Sequence, residues 1–312
     1  MGPRPLVAVV GQTATGKSRL GIAIAERLGG EIVNCDSTAV YRGFDIGTDK
    51  VPAAERRGVP HHLVDVVGPT EVYTAARYAG DAAAVIEDAW RRGRLPVLVG
   101  GSGLYYRALT RGLFPGPARD ERLRGRLEAI AARRGVTFLH RLLARVDRAS
   151  AGRILPRDLK RIVRALEVYF LTGRPLSAHF ADTRPPLPGL VLTAIALRLP
   201  SDVLGERLAR RVDEQFARGV VGEVRDLLAA GVPRTAHPFT GLVYRQVLEH
   251  LDGARDEAAT RALIVRDNRR YARRQLIWFR KEPNLLWFST PGESGATADA
   301  AASVIASRGV GR

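Results

Sequence analysis

One cysteine, Cys35, occurs among the 312 residues, which excludes an internal disulfide and any cysteine-rich zinc site. Such sparing use fits a reducing, cytoplasmic compartment. Lysine is nearly as scarce: of the 49 basic residues four are Lys (Lys17, Lys50, Lys160 and Lys281) and the rest are Arg. No apolar run approaches the roughly 18 residues of a membrane span, and the opening MGPRPLVAVVG is too short in apolar residues for a secretory signal, so no membrane association is expected. Acidic residues fall short of basic ones and leave a net charge of +17. Clustered Arg binds polyanions by releasing counterions, yet an arginine bias in coding composition yields the same figure, so charge alone does not choose nucleic acid. A hydrophobic content of 46% suffices for one large α/β domain with a lobe, or for two domains.

Residues Gly11 to Ser18 read GQTATGKS, the spacing G-x-x-x-x-G-K-[ST], set between an apolar run (Leu6 to Val10) and a helix-like stretch (Arg19 to Leu28). The glycines let backbone N–H groups turn inward around an anion, Lys17 adds a cation, Ser18 can hold Mg²⁺, and the helix N-terminus adds partial positive charge. A di- or triphosphate ligand is therefore expected on Gly11, Gln12, Thr13, Ala14, Thr15, Gly16, Lys17 and Ser18. The loop does not say whether that ligand is a nucleotide.

Leu6 to Val10, Glu31 to Asn34 and Pro96 to Gly100 read as short apolar strands, with helical stretches at Ser18 to Leu28 and Thr74 to Arg92 between them. The alternation predicts a mostly parallel sheet of P-loop type. Ligands in such sheets bind beyond the strands' carboxyl ends. There the chain carries the phosphate loop, then Cys35-Asp36-Ser37, then Gly100-Gly101-Ser102-Gly103. From about Pro117 to Pro188 strand-like runs disappear and Arg-rich helical periodicity takes over, which predicts an inserted helical lobe at 117–188 between core segments 1–116 and 189–312. The core resumes with a strand at Val191 to Ala196, helices at Ser201 to Ala217, Val220 to Ala230 and Glu257 to Arg280, and a last strand at Asn284 to Phe288. The Ala- and Ser-rich tail after Gly292 reads as weakly helical or frayed.

Asp36 is the foremost chemical candidate, because a carboxylate at a strand's carboxyl end can take a proton from a nucleophile or hold Mg²⁺ through water; a turn or helix-capping role is the plainer alternative. Ser102 stands where a hydroxyl can reach the same cleft, although Gly-Gly-Ser-Gly also suits a simple turn. Cys35, on an apolar strand, reads as a small buried hydrophobe.

The blocks GQTATGKS, DSTAVYRGFDIGTDK (Asp36 to Lys50), PHHLVD (Pro60 to Asp65), VGGSGLYYRAL (Val99 to Leu109), RIVRALEVYFLTGRP (Arg161 to Pro175) and YARRQLIWFR (Tyr271 to Arg280) occur in order. Together they resemble the tRNA dimethylallyltransferases, also called tRNA isopentenyltransferases, across about residues 6 to 288. The resemblance implies transfer of a dimethylallyl group from dimethylallyl diphosphate to the exocyclic amine of an adenosine beside the tRNA anticodon, with Mg²⁺ and release of pyrophosphate. It implies Asp36, Ser102 and Lys17 as catalytic residues and Arg211 as a further contact of the diphosphate. It implies tRNA contacts, to the anticodon stem-loop, from Asp36, Ser37, Thr38, Ala39, Lys160, Arg161, Ile162, Val163, Arg164, Tyr244, Arg245 and Gln246. The long basic helix Arg266 to Arg280, bearing Tyr271, Trp278 and Phe279, is a further candidate flank for RNA, its aromatics reading more as core than as stacking surfaces.

The chain departs from the family pattern at Gln12 (usually Pro), Thr38-Ala39 (usually ending in Gln), Ser102 (usually Thr), Arg157 (usually Asn), Val243 (usually Gly) and Asn268 (often Thr). Two other readings share the phosphate loop and Asp36: a prenyltransferase acting on free adenine nucleotides, and a P-loop small-molecule kinase. A monomer is expected, since no self-complementary apolar helix stands out.

Overall fold

The structure, a computed structural model, describes residues 4–309. Its frame is a sheet of six strands, all parallel: β1 (Arg4–Gly11), β2 (Gly30–Asn34), β3 (His61–His62), β4 (Leu95–Val99), β5 (Leu190–Leu197) and β6 (Leu285–Phe288), in the order β3-β2-β4-β1-β5-β6. Central β1 pairs with β4 through Val7↔Val97 and with β5 through Val7↔Thr193. Its residues Leu6 to Val10 have no exposed surface, as expected of a parallel strand covered on both faces. Val7 and Val9 point into one apolar layer with Leu20, Ile24, Ala301 and Ile305; Leu6, Ala8 and Val10 point into the other, with Tyr78, Ile86 and Leu109. Each buried Val, Leu or Ile among these contributes about 1.5–3 kcal/mol by leaving water.

Helices α1 (Lys17–Leu28), α2 (Ala75–Arg91) and α3 (Gly103–Thr110) follow β1, precede β4 and follow β4. The chain then forms a separate compact unit, Arg111–Pro186, made of α4 (Glu121–Arg134), α5 (Val136–Val146), α6 (Arg148–Arg153), α7 (Leu159–Thr172) and α8 (Leu176–His179). Its core is Leu127, Leu139, Leu143, Ile162 and Leu166. The fully buried Glu167 is pinned there by Arg164 at 2.7 Å and by the Asp120 N–H at 2.8 Å. The sheet unit resumes at Leu187 and adds α9 (Ser201–Ala217), α10 (Val220–Ala229), α11 (Tyr244–Leu251), α12 (Glu257–Phe279) and α13 (Gly295–Ser307).

Edge strand β3, absent from the sequence reading, has two residues, too few to show a period. Of the two readings of the segment after Gly292, weakly helical or frayed, the structure gives the helix: α13 has 13 residues and buries Ala298, Ala301 and Ile305 against α1. Alanine at that spacing leaves little hydrophobic contrast in the sequence, but it lets two helices approach closely.

Candidate active site

The carboxyl ends of β1, β2 and β4 bring the phosphate loop, Asp36 and the Gly100–Ser102 turn together. Gly11 has φ 123°, and a Cβ there would stand 2.2 Å from the Leu197 carbonyl oxygen. Gly16, with φ 87°, precedes α1 in the left-handed region, which other residues rarely adopt. The first-turn N–H groups of Lys17, Ser18 and Arg19 have no intrahelical acceptor and, with the helix dipole, form an anion site.

Distant residues hold the loop in shape. Buried Gln12 donates to the Ala272 carbonyl at 3.3 Å. Gln275 accepts the Thr13 N–H at 2.8 Å. Arg207 donates to the Ala14 carbonyl at 2.7 Å and pairs with Glu293 at 2.6 Å, and the Gly292 N–H donates to the Thr15 carbonyl at 2.8 Å. Lys17 Nζ donates to the Gln12 carbonyl at 2.6 Å. Burial, with the nearby Arg211 charge, lowers the lysine pKa to about 8, so the free site holds a cation in want of an anion. Arg211, from α9, donates to Thr13 Oγ1 at 2.7 Å and pairs with Asp49.

Asp36 is half-buried and fixed by its own turn. Its N–H donates to Asn34 Oδ1 at 3.0 Å, while Asp36 Oδ1 accepts from the Thr38 N–H at 2.9 Å and the Thr38 hydroxyl at 2.6 Å. Thr38 therefore orients the carboxylate and leaves its Oδ2 without a hydrogen bond among the described residues.

Two cavities meet here. A smaller one, about 410 Å³, is lined by the phosphate loop, Lys17, Ser18, Asp49, Arg207 and Glu293. A larger one, about 660 Å³, is lined by Ser37, Thr38, the 240–243 loop, Arg245, Arg266, Arg270 and Tyr271. Thr13, Asp36, Thr48 and Arg211 line both. Tyr271 is the one aromatic residue on the larger wall.

Several expected site residues act differently. Gln12 is buried and supports the loop through its side chain, and Thr13 has its N–H taken by Gln275. Ser102 lines neither cavity: its hydroxyl donates to Ser37 Oγ at 3.1 Å and accepts the Ser37 N–H at 2.9 Å, so it braces the turn beside Asp36. Ala39 lines the smaller cavity, apart from Ser37 and Thr38. Ile162 and Val163 are core residues of the helical unit, and Arg164 is paired with Glu167; Lys160 and Arg161 are exposed there. Tyr244 and Gln246 are buried: the Tyr244 hydroxyl donates to Glu223 at 2.5 Å and accepts the Gly47 N–H at 3.0 Å, and Gln246 donates to Asp267 at 3.1 Å. They lie on different sides of α11, Tyr244 against Phe44 and Phe239 and Gln246 toward Asp267 of α12, which leaves Arg245 between them exposed on the larger cavity. Val243, just before α11, holds φ 73°, a conformation costly for a β-branched residue and ordinary for the glycine usual there.

Thr48, Asp49, Arg207 and Gln275 were not assigned from the sequence, and Tyr271, read there more as core than as a stacking surface, lines the larger cavity. Arg207 lies one helical turn before Arg211, a spacing that places both on one face. Gln275 carries no comparable signal, since its partner is 262 residues away.

A comparison with protein families matches IPP transferase over residues 39–282. The chain is 48% identical over 290 residues to a tRNA dimethylallyltransferase of Solibacter usitatus, covering 93% of this chain and 94% of that one. Among solved structures it is similar to the full-length tRNA isopentenylpyrophosphate transferase of Bacillus halodurans, with TM-score 0.71, 36% identity and 98% of each chain covered. It is also similar to a eukaryotic dimethylallyltransferase acting on tRNA, with TM-score 0.79, 26% identity, 97% of this chain and 77% of that one. With the phosphate loop, Asp36 and the paired cavities in place, these likenesses show that the chain belongs to the IPP transferase family, the tRNA dimethylallyltransferases.

Proposed function

We propose that the smaller cavity binds dimethylallyl diphosphate and the larger one an adenosine of the tRNA anticodon loop, and that the dimethylallyl group passes between them. The observation carrying this reading is the shared wall. A phosphate site and an arginine-lined cavity meet at Asp36 and Arg211, as a transfer between an anionic donor and a nucleic-acid acceptor requires.

The diphosphate sits on the first-turn N–H groups of α1, with Lys17 and Arg211 against its oxygens. Negative charge grows on the leaving oxygen as the allylic C–O bond breaks, and donors already aimed at that charge lower the barrier without reorganising. The adenosine's exocyclic nitrogen forms the new C–N bond, pyrophosphate departs with the C–O electron pair, and the amine proton passes to Asp36. Ser18 and Asp36 are oxygen donors on the smaller cavity and would hold Mg²⁺, a cation that takes oxygen ligands. Bound there, Mg²⁺ neutralises charge on the diphosphate. Reaching Asp36 requires the base to leave its stack, and Tyr271 offers a flat surface beside it. Arg245, Arg266 and Arg270 are placed for RNA phosphates, and the helical unit carries exposed basic residues of its own, Lys160 and Arg161.

Incubation of the protein and Mg²⁺ with labelled dimethylallyl diphosphate and either unmodified tRNA or AMP tests the reading. Label on tRNA alone is expected. Label on AMP alone moves the chain to the free-nucleotide acceptors, and label on neither overturns the reading.

A further inference from the structure

Arg211 is half-buried at the junction of the two cavities, and a long side chain there needs an anchor to present one edge to a ligand. The anchor is Asp49. Its carboxylate pairs with Arg211 Nε through Oδ2, accepts from Gln215 Nε2 at 2.9 Å through the same oxygen, and lies 3.6 Å from Arg218 Nη1 through Oδ1. All three partners come from α9 or the residue that ends it. Thr13 Oγ1 takes one Nη1 hydrogen, so the guanidinium is held at two points and keeps its remaining N–H donors for a ligand.

Asp49 is itself fixed in place. It has φ 50°, the left-handed region that Asp tolerates better than most residues. The surrounding turn is fastened throughout. Glu223 accepts the Asp45 and Ile46 N–H groups at 2.9 and 2.7 Å, and the Tyr244 hydroxyl accepts that of Gly47. Buried Lys50 donates to the Tyr41 carbonyl and to the Asp45 and Asp65 carboxylates. A carboxylate on so constrained a turn does not follow Arg211 about; Arg211 conforms to it.

We infer that Asp49 is a positioning residue for the transfer: it sets the guanidinium of Arg211 over the phosphate loop and thereby tunes affinity for the allylic diphosphate and its pyrophosphate product. The inference rests on the reading of the smaller cavity as the donor site.

A double-mutant cycle read by calorimetric binding of inorganic pyrophosphate, with Mg²⁺ present, tests it without turnover. Asp49→Ala is expected to weaken binding about 10-fold, equivalent to about 1.4 kcal/mol, and to raise KM for the allylic donor more than it lowers kcat. Asp49→Asn, which keeps an acceptor oxygen, is expected to recover most of the loss and guards against misfolding of the alanine variant. In an Arg211→Ala background the same Asp49→Ala change is expected to alter binding less than twofold, because contacting residues couple. Equal losses in both backgrounds overturn the inference, and so does unchanged or tighter binding by Asp49→Ala, which would reduce Asp49 to a charge that repels the ligand. Wild-type protein that binds no pyrophosphate overturns the donor-site reading itself.

Discussion

The two ends of the sheet treat charge in opposite ways. Toward the amino ends of the strands, Glu31 on β2 is buried and fully engaged: Arg92 grips both of its oxygens and His62 lies 2.8 Å away. The Arg92 contact, outweighing burial, holds its carboxyl at about 2. At the carboxyl ends, Lys17 is answered by a neutral carbonyl and Asp36 by a threonine. A protein that satisfies a carboxylate this thoroughly at one end has the means to do so at the other. The contrast marks groups whose partner arrives from outside.

Breaking the contrast at the carboxyl end has the largest expected effect. Asp36→Asn removes the proposed proton acceptor, so single-turnover transfer is expected to slow by roughly 10²- to 10⁴-fold with tRNA binding largely intact; a rate above about a tenth of wild type would take Asp36 out of that role. At the opposite end, Glu31→Gln weakens the hydrogen bonds to Arg92, which stays partly solvated and paired with Asp88, and is expected to cost about 1–2 kcal/mol of folding stability in denaturant titrations. The sign with pH follows from the lowered pKa. The Glu31 contribution is present above the unfolded value near 4.5 and is lost as pH falls toward 2, so wild type and variant should converge in acid.

Lys17→Ala deletes the charged hydrogen bond proposed to the diphosphate, and calorimetry with pyrophosphate should show a loss of about 1.5–3 kcal/mol. In the wild type that affinity should fall as pH rises past about 8, where the free lysine releases its proton, and the Lys17→Ala protein should show no such inflection. Ser102→Ala is expected to have the smallest effect. Its hydroxyl braces Ser37 and reaches neither cavity, so the transfer rate should drop by no more than about 1 kcal/mol, near fivefold.

The strand ends were legible in the sequence because a phosphate loop announces itself by spacing and a parallel sheet by unbroken apolar runs. That reasoning placed Lys17 and Asp36 near one cleft, and the structure puts both on its wall. It could not see Asp49, whose worth depends on a left-handed φ and on an arginine 162 positions later. Nor could it separate Tyr271 from Phe279 on the same helix, since only the three-dimensional packing makes Phe279 fully buried and Tyr271 a cavity wall. The burial of Tyr244 and Gln246 was illegible for a related reason: they belong to a block that resembles RNA-contacting segments, but a block does not say which of its side chains turn inward.

The ties on the phosphate loop also order events in time. Residues 11 to 18 leave the ribosome well before residues 272 to 292, yet Gln12 and Thr13 find their partners at Ala272 and Gln275, and the Thr15 carbonyl finds its own at Gly292. Contacts so distant in sequence form late and slowly. A nascent or prematurely ended chain that stops short of Gly292 therefore carries the loop without its full set of restraints, and the shape of the loop is completed only once the chain has been made through Gly292.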